Sequence, residues 1–347
     1  METDRKGNGE NIGISVVITA YNRTKFLSSA IESVLKQEKT GTGIEIIVIS
    51  NVDFRTDGIP QSFNLKKIIM EGTIGEFLSA GIESASGEII AFLDDDDIWM
   101  ANRIERLESV FSDMNVIFYH SMYSYIDSGR KPIKYVRNVE KNDFNAFSTP
   151  LILDDSRNSK YIREAIKRRA DFNLSCIAVR KKLAMEYIDT LKLITSAQDG
   201  FFFWTAVMSG GDLFIDNLGL IQYRVHHSNV SGTRSLKDKA NELQKELRTF
   251  ELLARLVEER VVINNRRVSL KKWLRLYYDE YMLILLTLTK GNKTLILKSI
   301  ISILETDFGI RNTLKYRITG FGLLSILNTE LALFFYDHLR CKAVSLS

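Results

Sequence analysis

The chain has 347 residues, a length that gives a prior of about two domains and room for a substantial core. Its 45% hydrophobic and 26% charged content is that of a globular protein and excludes a disordered or collagen-like chain. The net charge of +4 is divided unevenly: residues 234–347 hold 20 Lys/Arg against 12 Asp/Glu, and residues 1–233 hold 27 against 31. Two cysteines far apart, Cys176 and Cys341, exclude a disulfide framework and suit a reducing, cytoplasmic setting. The polar start METDRKGNGENIG shows no signal peptide, and the nine-residue apolar run from Tyr281 to Thr289 is far short of the roughly 20 needed to span a bilayer.

In chain order, ISVVITA (14–20) is a β-branched run of the kind buried on both faces of a sheet. KFLSSAIESVLKQ (25–37) places Phe26, Leu27, Ala30, Ile31, Val34 and Leu35 on one helical face. IEIIVIS (44–50) and LKKIIM (65–70) predict two more strands, EFLSAGIESA (76–85) a helix, and EIIAFL (88–93) a fourth strand after the turn at Ser86-Gly87. This alternation is the grammar of an α/β domain with a mainly parallel sheet, whose ligands sit beyond the carboxyl ends of the strands. TAYNR (19–23), SNVD (50–53) and the run Asp94 to Asp97 lie at three such ends. No GxGxxG or Walker A sequence is present. From about residue 233 the leucines fall at helical spacing, which predicts a mostly helical C-terminal region.

Four successive aspartates repel one another, and each costs free energy to desolvate. An exposed acidic loop is the plainer explanation. The buried strand before them and Ile98-Trp99 after them favour a built site. Hard divalent cations take carboxylate, water and phosphate oxygens, and on an extended segment Asp94 and Asp96 would point to one side and share an ion.

The segments SVVITAYNR, IEIIVISN, AGIESASGEIIAFLDDDDIW, QDGFFFW and YRVHHSNVS, in this order over residues 12–232, resemble a family 2 glycosyltransferase. The resemblance implies the GT-A fold: a single mixed, mainly parallel sheet flanked by helices over residues 1–232, with the helical region at 233–347. It implies an inverting, metal-dependent hexosyltransferase of cell-surface or lipid-linked glycan synthesis. By this resemblance Thr19, Ala20, Tyr21, Arg23, Asn51, Asp94 and Asp95 would bind the nucleotide-sugar. Asp94, Asp96 and His226 would hold Mn2+ or Mg2+, and Asp199 would be the catalytic base. Ser50 and Asn51 stand where the family usually has two aspartates, and Glu76, Ser79 and Ala80 replace the basic residue and Asn common in the second helix. Expected partners are a UDP-sugar donor and a glycan or lipid-linked acceptor, with no nucleic acid. The basic C-terminal region would make peripheral contact with the inner face of the cell membrane or mediate oligomerisation. The helix N-cap is the plainer role for Asp199, a surface position for His226 and His227, and packing for Trp99, Trp204 and Trp273. A non-catalytic sugar-nucleotide-binding protein is the alternative function, and a nucleotidyltransferase or phosphatase a further one.

Overall fold

The computed structural model describes residues 13–37, 43–55, 59–60, 64–133, 147–154, 156, 158–226, 235–261, 264–305 and 313–334. The expectations for the polar start, His227, Cys341 and the boundary at 232/233 fall outside them. The strands are β1 (Ile14–Ala20), β2 (Ile44–Ser50), β3 (Asn64–Ile69), β4 (Ile89–Asp94), β5 (Ile98–Trp99), β6 (Val116–Ile126), β7 (Leu151–Leu153), β8 (Ile177–Arg180) and β9 (Asp212–Arg224). The helices on the sheet are α1 (Leu27–Leu35), α2 (Ile74–Ser84), α3 (Arg103–Phe111), α4 (Ser159–Lys167), α5 (Lys181–Glu186), α6 (Ile188–Leu191) and α7 (Gln198–Met208). Then come α8 (Leu236–Arg260), α9 (Asn264–Leu288), α10 (Lys293–Glu305) and α11 (Thr313–Leu327).

One sheet runs β3-β2-β1-β4-β8-β6-β9-β5, with β7 added on β9. Its parallel ladders, β1 with β2 and β4, β2 with β3, and β6 with β9, are long. The antiparallel ladders span two or three residue pairs each, so the sheet is mixed but mainly parallel. β1 is buried along its whole length, as its β-branched composition requires. Alternate residues face two layers. Val17, Ile49 and Phe92 pack beneath α2 and α7, while Val16, Ile18 and Leu93 pack against α1 and α3.

Helix α2 begins two residues before the predicted start because Thr73 caps it. The Thr73 hydroxyl accepts from the Glu76 N–H at 3.3 Å, and the Glu76 carboxylate accepts from the Thr73 N–H at 2.7 Å. The same helix lies so close to the sheet that a Cβ on Gly81 would stand 2.6 Å from Val17 Cγ1 and 2.8 Å from Ile49 Cδ1.

The first two C-terminal helices share a core with the sheet. Phe250, Leu253 and Val257 of α8, with Leu270 and Trp273 of α9, belong to the same apolar cluster as Phe92 and Phe202. Trp204 of α7 meets Trp273 at 6.5 Å and Tyr277 at 5.6 Å between ring centroids. No described helix is long and apolar enough to cross a membrane.

At the amino end of the sheet Glu45 is buried yet charged. It accepts from Ser15 Oγ at 2.5 Å and from the Gly87 N–H at 3.3 Å, and it pairs with Lys66 Nζ at 2.8 Å. Burial opposes its ionisation, but the bonds from Lys66, Ser15 and Ser86 prevail and hold its pKa down at about 2. Because the folded pKa is depressed, this stabilisation is complete above the unfolded value near 4.5 and is lost as pH falls toward about 2. Urea midpoints measured from pH 6 to pH 2 should therefore fall less steeply for Glu45→Gln than for the parent.

Two helical glycines make a second test. Ala gains about 0.5–1 kcal/mol over Gly within a helix, whereas overpacking a core costs about 1–3 kcal/mol. Gly81→Ala should lower stability on urea unfolding. Gly320→Ala, on α11 with nothing within 4 Å of a new Cβ, should raise it.

Candidate active site

The register sets Thr19 beside both Ile49 and Asp94, so β1, β2 and β4 end at one level. Thr19 is buried, and Ala20 lies wholly in the core, so its methyl presents nothing to a ligand. Tyr21 is 52% exposed, with its ring edge-on to Phe77 at 5.8 Å. Asn22 then takes the left-handed conformation, φ 55°, which asparagine tolerates better than most residues. Its N–H donates to Asn51 Oδ1 at 2.8 Å, and Asn51 Nδ2 donates to Asn22 Oδ1 at 2.7 Å. This reciprocal amide pair stitches the loop after β1 to the loop after β2. One lone pair and one N–H of Asn51 remain beyond it.

Next along the chain, Arg23 reaches the acidic run 72 residues away. Its Nε and terminal nitrogen meet both oxygens of Asp95 at 2.9–3.1 Å, and the terminal nitrogen also meets Asp96 Oδ2 at 2.5 Å. The run is not extended. The chain turns directly after Asp94, with the Asp97 N–H donating to the Asp94 carbonyl at 3.3 Å. The expected D-x-D geometry, in which Asp94 and Asp96 share a side of a strand, is therefore replaced by a turn. Asp96 Oδ2 pairs with His226 Nε2 at 2.9 Å, and Phe26 packs on that imidazole at 5.0 Å. His226 is thus part of the acidic turn and not a surface histidine.

Asp97 points inward and is fully buried. It accepts from Ser175 Oγ at 2.7 Å, Asn173 Nδ2 at 3.2 Å and the Arg224 N–H at 3.0 Å. The Ser175 hydroxyl also accepts from the Asp94 N–H at 3.0 Å. Arg224, buried over Phe26, donates from Nε to the Asp96 carbonyl at 2.7 Å. Burial raises the carboxyls of Asp94, Asp95 and Asp97. Asp95 rises to about 6, by burial and then by Asp96 against Arg23, and Asp97 to about 7, by burial and Asp96 against its hydrogen bonds. Asp94 rises well above the usual range, by burial and then by its three acidic neighbours.

Asn173 connects this turn to Asp199. It sits at φ 69°, a strained setting for a residue with a side chain, and caps the 3-10 turn Leu174–Cys176. Its amide faces Asp97, while its backbone N–H donates to Asp199 Oδ2 at 3.0 Å. The other Asp199 oxygen accepts from the Gly200 N–H at 2.9 Å. Asp199 lies in the first turn of α7, and the N-cap position belongs to Ala197, which is left-handed at φ 58°. Burial, opposed by those two backbone bonds, raises Asp199 to about 6. A Cβ on Gly200 would meet nothing within 4 Å, so there is open space beside this carboxyl. Helix α8 fixes the approach: Glu242 accepts from Ser196 Oγ, and Thr249 Oγ1 donates to the Ser196 carbonyl at 2.8 Å.

The tryptophans contribute packing: Trp99, Trp204 and Trp273 are all buried. Glu76 is occupied in its capping box and Ser79 is buried. Sequence reasoning missed Asn22, Asp97, Asn173 and Ser175, whose partners across the site lie 26 to 127 residues away in the chain. Among the described residues no three acidic, His or Cys side chains surround one point. Asp96 and His226, which bond to each other, are a carboxylate and an imidazole, ligand types that a divalent ion accepts when water and phosphate complete its shell.

Residues 15–180 match the Glycosyl transferase family 2 family. Over 129 residues, 35% of this chain and 39% of the relative, the chain is 36% identical to an uncharacterized glycosyltransferase of Nostoc sp.. It is 33% identical to one of Rickettsia bellii over 40% of this chain and 20% of the relative, so the match spans a fifth to two fifths of these proteins. It is 25% identical to the UDP-Glc:alpha-D-GlcNAc-diphosphoundecaprenol beta-1,3-glucosyltransferase WfgD of Escherichia coli, over 64% of this chain and 80% of that protein. Among solved structures, S. aureus TarS 1–349 in complex with UDP-GlcNAc is similar, with a TM-score of 0.59 and 13% identity over 94% of this chain and 92% of that one. The sheet order and the TarS match place the chain on a GT-A fold, and its residues 15–180 are those that match Glycosyl transferase family 2.

Proposed function

We propose that this glycosyltransferase moves a sugar, with inversion, from a UDP-sugar to a hydroxyl of a lipid-linked glycan. The observation that carries this reading is Asn173, which holds Asp199 by its backbone and the acidic turn by its side chain. A base and a diphosphate-binding turn thus share one rigid frame, as a single in-line displacement requires. The names of WfgD and of the TarS complex support a uridine donor, and WfgD's name supports a diphospholipid-linked acceptor.

In this reading the exposed ring of Tyr21 stacks on the base. The remaining Asn51 acceptor and donor meet the N3–H of uracil and a neighbouring carbonyl. Thr19 and the Ala20 backbone bound the nucleotide pocket. Arg23 keeps Asp95 and Asp96 oriented toward the donor. Asp94, Asp96 and His226 would hold Mn2+ or Mg2+, which supplies charge for the diphosphate leaving group. Asp199 takes the proton of the acceptor hydroxyl as its oxygen bonds to the anomeric carbon and the bond to the diphosphate breaks.

Asp199→Asn should lower kcat by at least about a hundredfold while calorimetry finds UDP binding nearly unchanged. Normal turnover would remove Asp199 from the role. A base must be unprotonated, so kcat/KM should fall about tenfold per pH unit below about pH 6 and level off above it. In Asp199→Glu this acidic limb should shift, and an unmoved limb would assign it to another group.

Thr249 and Glu242 act as positioning residues through Ser196. Thr249→Val leaves a carbonyl without its donor and should lower kcat about tenfold with the donor KM unchanged. Thr249→Ser, which restores the hydroxyl, should recover the rate.

A further inference from the structure

Helix α10 carries apolar residues on both its inner and its outer side. Ile296, Ile300 and Ile303 face inward against Leu283 of α9, as a packed helix requires. On the outside Leu295, Leu297 and Ile301 are nonetheless 44–46% exposed. Helix α11 repeats the pattern: Gly322 lies tight against Ile300 and Leu283, while Leu323 and Leu327 stand 47% and 82% exposed one turn apart. Beyond the end of α11, Leu331 is 40% exposed. Of the 17 large apolar side chains exposed among the described residues, eight lie between Leu295 and Phe334, whereas those on the sheet domain are scattered. An apolar face of this kind marks an interaction surface.

The charges beside it favour one occupant. Lys293 and Lys298 are exposed on α10 among these leucines, and neither pairs with an acid of the described residues. Lys298 also borders a groove of about 220 Å³ between α9 and α10, lined by Met282, Leu286 and Leu295 and by Arg275, which pairs with Asp279 at 2.8 Å. Apolar stems with cationic heads at their margin suit lipid tails beneath anionic headgroups. An isologous contact with a second copy would instead bring Lys298 toward the partner's identical lysine-rich face, with Glu305 as the single acid on α10.

We propose that the outer face of α10 and α11, with Lys293 and Lys298, seats the protein on an anionic lipid bilayer. This deepens the reading above and rests on it for the lipid-linked acceptor. The face then does for the acceptor what the strand-end site does for the donor: it holds the enzyme where the substrate is confined.

Sedimentation of the full chain with vesicles of pure phosphatidylcholine, and of phosphatidylcholine with phosphatidylglycerol, tests this. Binding to the anionic vesicles, weakened by 0.5 M salt, is expected. The double variant Leu297→Glu/Ile301→Glu should lose about tenfold in partitioning, and Lys298→Glu about threefold. Both change exposed side chains, and circular dichroism checks that they fold. Absence of binding by the parent, or unchanged binding by the double variant, would overturn the proposal. So would light scattering that shows a dimer dissociated by the double substitution, since a second copy would then cover the face. UDP calorimetry on the same samples separates the two readings. Vesicle binding without UDP binding removes the donor site and leaves the surface, and the reverse removes the surface alone.

Discussion

Everything around the site depends on making one tight turn of four carboxylates tolerable. An isolated buried carboxylate is costly enough that it protonates instead. Here the cost is offset from several directions: by the guanidinium of Arg23, the imidazole of His226, the Asn173 amide, the Ser175 hydroxyl and the Arg224 backbone. These groups arrive from the end of β1, the 3-10 turn before β8, and the end of β9. The acidic turn is thus the point at which elements distant in the chain are held in register. Removing one partner from such a buried pair costs roughly 3–5 kcal/mol, more than most single core contacts supply.

The helical C-terminal region belongs to the same structure in a second sense. Its first two helices complete the apolar layer under α7, and α8 reaches through that layer to hold Ser196. The left-handed Ala197 that follows needs such support, because a strained backbone persists only where its surroundings over-determine it. The orientation of Asp199 is therefore set jointly from the sheet side, through Asn173, and from the helical side, through α8.

Much of this architecture is legible in the sequence. The β-branched runs at 14–20 and 44–50 form the buried strands they predict, and the acidic run does begin where a buried strand ends. Asp199 opens a helix, as its apolar followers suggest, and that helix is among the most buried in the protein. What is not legible is direction. One hydrogen bond, from Asp97 to the Asp94 carbonyl, turns the run, and this decides that Asp97 faces inward while Asp96 meets His226. No local pattern contains that choice, because the groups that enforce it lie 76 to 130 residues onward. The pairing of Asn51 with Asn22 is hidden for the same reason. Helical periodicity identifies α8 as a helix but carries no sign that its inner face shares a core with Phe92.

The distribution of these partners along the chain sets an order for synthesis on the ribosome. When β4 has just emerged, one of its edges stays unpaired until residues 177–180 follow. Asp97 acquires its side-chain donors only once 173 and 175 are out, and its last donor only with Arg224. Until then the four aspartates lack the donors that offset their mutual repulsion. A polypeptide ended at residue 180 would have its β1 to β4 strands but neither Asp199 nor the Arg224 N–H that completes the set of donors on Asp97, so competence is deferred until β9 is complete.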